Sequence, residues 1–209
     1  MPNHVTNNLT IEGPDVEKVI ESLKGAGLID FNKIVPMPER LHLNSNGTEL
    51  EIERILSKIP KKYEGTPEKR QQYFKDNIEV MLDLNPEYEP YIRNYILYGY
   101  TTWYPWALEY WGTKWNAYQI DGWNGDTITF QTAWSMPEPI YIALSKKFPE
   151  HEFTVEFADE DIGNNCGRVV LKEGNYLEQY FPTGDEACEF ACGLWECDSA
   201  AYLESNKES

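Results

Sequence analysis

Residues 110–118 read YWGTKWNAY, which sets Lys114 among tryptophan and tyrosine rings in a chain that is otherwise heavily acidic. With Trp103, Trp106, Trp111, Trp115, Asn116 and Trp134, this lysine makes a candidate ligand-binding set. Indole faces stack on planar rings and attract cations, and a neighbouring ammonium group would clamp a phosphate or carboxylate. Packing is the competing reading: aromatic rings at the junction of two elements bury large areas, and each indole N–H finds a carbonyl. Lys114, beside the glycine of a turn, is the residue that packing alone does not explain.

Other residues of chemical interest are less organised. Asp159, Glu160 and Asp161, followed by Gly163, Asn164 and Asn165, offer oxygen ligands in a turn, but without the alternate spacing and terminal bidentate glutamate of a calcium loop. They read as a solvated acidic turn. Cys188, Cys192 and Cys197 include no C-x-x-C pair, and the only histidines are His4, His42 and His151, so no metal site is expected. Cys188 and Cys192, four apart, suit one buried helix face, and with Cys166 all four cysteines read as reduced thiols. There is no G-x-S-x-G, phosphate loop, dinucleotide fingerprint or paired-histidine motif, and His4 and Ser135 qualify only by residue type. No catalytic residue, metal or cofactor is assigned. The chain reads as a binding protein rather than an enzyme.

Charge narrows the choice of partner. The chain of 209 residues carries 18 Lys and Arg against 35 Asp and Glu, a formal net charge of -17, which repels nucleic-acid phosphates. Beyond residue 149 the only basic residues are Arg168, Lys172 and Lys207, against carboxylates that recur through to Glu208. Carboxylates spaced along a helix and a hairpin can imitate a phosphate array and occupy a basic groove on another protein. The expected partner is thus an unidentified protein, basic or itself nucleic-acid-binding, and not nucleic acid directly. The opening residues lack a basic region followed by a long apolar run, and no stretch approaches the about 20 apolar residues that span a bilayer. The chain therefore reads as cytoplasmic, with no membrane partner.

The elements that must position these residues follow from periodicity. Residues 4–12 alternate Val5, Asn7, Leu9 and Ile11 on one side, a half-buried strand in which Asn7 is the polar exception. Gly13-Pro14-Asp15 then opens a helix through Val16, Val19, Ile20 and Leu23. Residues 31–38 contain Pro36 and Pro38 and read as an extended tether. Leu50, Ile52, Ile55, Leu56 and Ile59 suggest a helix, Tyr73 to Leu82 another, and Tyr91 to Tyr98 a third, giving a helical insertion over residues 48–100. Residues 115–121 read as a strand, 122–126 as a hairpin turn, 127–134 as the returning strand, 137–148 as a helix and 152–158 as a further strand. Strand, helix, strand, strand, helix, strand is the split βαβ order. Residues 167–182 suit a hairpin that extends the sheet, a helix follows Gly184, and the terminal ESNKES reads as loose. The expected fold class is α+β: one ferredoxin-like domain over residues 1–209, with the insertion and an acidic extension over 159–209.

Three stretches in this order, MPNHVTNNLTIEGP, FNKIVPMPERL, and YWGTKWNAY with FQTAWSMPEPI, resemble the YubB ferredoxin-like family, whose members are encoded by phages, plasmids and genomic islands. Departures are His4 and Val5, where the family is expected to carry Trp and Cys, and the turn at residues 161–165. The resemblance implies the fold and a mobile-element setting, and brings no catalytic residues. The leading expectation is a non-enzymatic accessory protein of a phage or plasmid that binds a host or phage macromolecule through its acidic surface, in a counter-defence role. The alternative is a small-molecule or nucleotide binder that uses the aromatic cluster and Lys114.

Overall fold

The computed structural model describes residues 1–45, 54–55, 60, 65–84 and 86–207. Along the chain run β1 (His4–Glu12), α1 (Val16–Leu23), α2 (Pro67–Asp76), α3 (Ile78–Leu84), α4 (Glu89–Tyr98), α5 (Trp103–Tyr110), β2 (Thr127–Ala133), α6 (Glu138–Lys147), β3 (Glu152–Asp159), β4 (Cys166–Lys172), β5 (Asn175–Tyr180), α7 (Asp185–Trp195) and α8 (Ser199–Lys207). These divide into two compact units, Met1–Pro36 with Leu108–Ser209, and Met37–Ala107. Among the described residues no helix is long and apolar enough to cross a membrane.

The first unit is built on an antiparallel sheet of order β2-β1-β3-β4-β5. Its register sets Val5, Leu9 and Ile11 on one face with Ile128, Phe130, Phe153, Val155 and Phe157, so period-2 alternation makes that face apolar save at Asn7, Thr132 and Asp159. Helix α6 packs on that face with Ile140, Tyr141 and Leu144 buried, and α1 buries Val19, Ile20 and Leu23. Asn7, the polar exception, is fully buried. Its amide donates to the Thr132 hydroxyl at 2.9 Å and the Val5 carbonyl at 3.0 Å, and its Oδ1 accepts from the Tyr141 hydroxyl at 3.1 Å. A buried amide with all these bonds made costs little, whereas an unpaired one would cost about 1–3 kcal/mol. Burial also drives the Tyr141 phenol well above its ordinary pKa.

The opposite face is covered in part by α7. Ala158 and Cys166 of the sheet meet Ala187 and Ala191 of the helix, with Ile162, Phe190, Leu194 and Trp195 around them. Small residues on both sides let the helix lie close, and the Trp195 indole donates to the Ala158 carbonyl at 3.1 Å.

Five local readings change. The helix read over Tyr73 to Leu82 is two, α2 and α3, parted at Asn77. Residues 115–121 do not form a full strand: Tyr118 and Gln131 exchange hydrogen bonds, but Asp121 N–H then reaches Thr129, one residue out of step. Gln119, at φ 45°, is the extra residue of this bulge. The tether contains a 3₁₀ turn at Phe31–Lys33, because the Asp30 carboxylate accepts from Asn32 N–H and starts it. Cys192 and Cys197 are joined in a disulfide, while Cys166 and Cys188 are free thiols. The left-handed Glu196 turns the chain back so that Cys197 N–H meets the Cys192 carbonyl, which brings the two sulfurs together. Finally, Glu204 to Lys207 belong to α8 rather than to a loose end.

The second unit buries Ile55, Phe74, Met81, Ile92 and Tyr95. Thr66 caps α2, and Gly99, at φ 79°, ends α4 in a conformation that favours glycine. The helix read over residues 50–59 falls on described residues only at Arg54 and Ile55, which are helical; the rest lies outside the described residues.

Candidate functional site

The aromatic motif is fastened at its turn. Gly112 has φ 72°, and a Cβ there would lie 2.6 Å from the Pro139 ring, so only glycine fits. The buried Thr113 hydroxyl donates to the Ala133 carbonyl at 2.8 Å and accepts from Ala133 N–H at 3.0 Å, which pins the turn to the end of β2. The Ser135 hydroxyl donates to the Gly112 carbonyl at 2.5 Å.

Of the sequence-predicted residues, two hold the fold. Trp111 is 4 % exposed, donates its indole N–H to the Val35 carbonyl at 2.9 Å and lies edge-on to Phe31. Asn116 donates to the Asp30 carboxylate at 2.7 Å and accepts from Phe31 N–H at 2.9 Å. Burial works to raise the Asp30 pKa, but the bonds from Asn116, Asn32 and Ala26 outweigh it and hold the carboxyl below its ordinary value. Trp103 and Trp106 belong to the second unit, where Trp106 is buried and Trp103 packs edge-on to Tyr104.

Lys114, Trp115 and Trp134 come together. The Lys114 ammonium lies 4.8 Å from the centre of one Trp115 ring and 5.1 Å from that of Trp134, and the two tryptophans keep 38 % and 39 % of their surface exposed. Trp115 meets Tyr118 edge-on at 6.0 Å, and Tyr118 meets His4 at 5.6 Å. The Tyr118 hydroxyl donates to the Thr132 carbonyl at 3.0 Å, so its contact with His4 Nδ1 at 2.7 Å is one in which the imidazole donates. Burial, with the Glu160 charge added, pushes the Tyr118 pKa up to about 12. Glu160 accepts from His4 N–H at 3.0 Å, and its own N–H returns to the His4 carbonyl at 2.8 Å.

Trp134 has φ 74°, a region in which a bulky side chain is strained. Its N–H donates to the Asn3 carbonyl at 2.9 Å, and its carbonyl accepts from Asn165 Nδ2 at 3.1 Å. Asn165 and Asn3 both donate to the buried Asp159 carboxylate at 3.1 Å, and Asp161 N–H joins them at 2.9 Å. The acidic turn therefore braces Trp134. In the sequence His4 qualifies by residue type and Tyr118 by its place in the motif, but nothing local joins either of them, or Glu160, to Lys114.

Two further features bear on chemistry. A cleft of about 420 Å³ in the second unit is lined by Arg40, Leu43, Glu89, Pro90, Arg93 and Asn94, and by none of the tryptophans. Helix α7 turns Asp185, Glu186 and Glu189 to solvent while Ala187, Ala191 and Cys192 are buried, and Glu196 and Asp198 continue the exposed acidic run. Among the described residues, no group of three or more His, Cys, Asp or Glu could hold a metal ion.

Residues 110–205 match the family described as the ferredoxin-like domain in Api92-like protein. This supports the ferredoxin-like part of the expected resemblance and does not carry the YubB name. A crystal structure of protein api92 from Yersinia pseudotuberculosis aligns at 12 % identity and a TM-score of 0.38, covering 88 % of this chain and 99 % of that one. No curated protein matches the chain.

Proposed function

We propose that this ferredoxin-like chain is a non-enzymatic accessory protein that binds a basic macromolecule through an acidic surface. The observation that carries the reading is the two-sidedness of α7. Its small-residue side is sealed on the sheet, so Asp185, Glu186 and Glu189 are held outward on a rigid support, and Glu196 and Asp198 lengthen the run. Of the nearby cations, Arg168 is engaged by Glu178 at 2.9 Å. Fixed carboxylates of one sign speed encounter with a positive groove and set its register. A protein that normally grips nucleic acid has such a groove. The sequence resemblance to proteins of phages, plasmids and genomic islands supports a mobile-element setting and, with it, a role against host defence in the cytoplasm.

A nucleotide clamp at Lys114 fits less well. Small-molecule sites are concave, and the cleft of about 420 Å³ is lined by other residues.

The test is affinity capture from a bacterial lysate over a range of ionic strength, with a variant carrying Asp185→Asn, Glu186→Gln and Glu189→Gln. The wild-type chain retains nucleic-acid-binding proteins at low salt, releases them as salt rises, and the neutralised variant retains them at least tenfold less well. Retention indifferent to both salt and neutralisation overturns the proposal.

A further inference from the structure

We propose that the band formed by Trp134, Lys114, Trp115, Tyr118 and His4, bordered by Glu160, anchors an arginine side chain of the basic partner. This rests on the acidic-surface reading and names the group that the surface takes.

The ring faces attract cations, and the Lys114 ammonium lies over two of them. A guanidinium group is flat, weakly hydrated and able to stack on an indole while its edge pairs with a carboxylate, which an ammonium cannot do in the same way. The two requirements are met along one band. Trp115 and Trp134 offer half-exposed indole surface, and Glu160 is tied to His4 at the far end of the same ring contacts. Charge decides the sign of the ligand: the chain carries -17, and Asp159, Glu160 and Asp161 stand beside the band, so an anion is repelled where a cation is drawn in. Exposed tryptophans held rigidly are also the residues that dominate protein interfaces. Trp134 is rigid at a cost, being held at φ 74° by bonds on both sides of its peptide.

Fluorescence anisotropy with labelled octa-arginine and octa-lysine peptides tests the proposal. Wild-type protein binds octa-arginine tighter than octa-lysine by roughly fivefold, the scale of one or two exposed cation–π contacts. Trp134→Gly abolishes this margin and still folds, because glycine suits the positive φ. Trp115→Ala, at a residue with ordinary backbone geometry, reduces the margin independently. Lys114→Ala removes a like charge and leaves octa-arginine bound at least as tightly as before. The α7 neutralised variant weakens both peptides to the same degree. Equal affinity for the two peptides, a margin that survives both tryptophan variants, or weaker arginine binding by Lys114→Ala overturns the anchor and leaves the acidic-surface reading standing. Binding of neither peptide overturns both.

Discussion

Tyr118 shows how one residue joins the fold to the site. Its ring touches Trp115 and His4, its hydroxyl closes onto the Thr132 carbonyl, and its backbone exchanges both bonds of the bridge that 115–121 makes to Gln131 of β2. Burial and the Glu160 charge both favour the neutral phenol, so the folded pKa lies near 12, above the ordinary tyrosine value of about 10. A folded pKa raised above the unfolded one means stability that is complete below about pH 10 and is lost as pH rises from there toward 12. Urea midpoints measured across this range should fall for the wild type and fall less for Tyr118→Phe; parallel curves would show that the phenol is not the titrating group. At this scale the sequence was half legible. Period-2 alternation marked Asn7 as a polar intruder, but its partners Thr132 and Tyr141 lie more than a hundred residues away, and no local pattern announces them.

The elements divide by how local their causes are. Strand β1, helices α1, α4 and α6 and the β4–β5 hairpin stand where apolar spacing and turn residues put them, because those signals act within a few residues. The 115–121 segment has the composition of a strand and fails as one, since the left-handed Gln119 breaks step with β2 and only the bridge at Tyr118 survives. The end of α7 also depends on geometry. Cys192 and Cys197, five apart with Cα atoms at 4.7 Å, meet because Glu196 adopts a left-handed turn, a choice that cysteine spacing does not reveal. Thiol titration of the denatured, unreduced protein should count Cys166 and Cys188 alone, and all four cysteines after reduction. On the chain-entropy account, closing so short a loop stabilises by about 2 kcal/mol, so Cys197→Ser should lower stability by that order. Four thiols before reduction would show that the bond does not form.

At the scale of the whole molecule, charge dominates. A net charge of -17 sets the folded chain against itself, and salt relieves this by shortening the Debye length from about 30 Å at 0.01 M to about 8 Å at 0.15 M. The thermal midpoint should rise over that interval by several degrees, while capture of a basic partner weakens; a midpoint that falls with added salt would mean that attractive pairs outweigh the repulsion. The same field opposes direct binding of nucleic acid, and this much composition determines without a structure. Sequence by itself also determined the α+β class and most of its strands and helices, though not the 115–121 segment, because hydrophobic periodicity and turn chemistry are local. Only the tertiary structure decided which aromatics pack and which stay open. Trp111 and Asn116 are bound to Val35, Asp30 and Phe31, from a distant part of the chain, whereas Trp115 and Trp134, nineteen positions apart by their numbers, meet over one lysine. The physical reason is that a side chain's exposure depends on what the fold brings against it, and spacing along the chain carries no record of that.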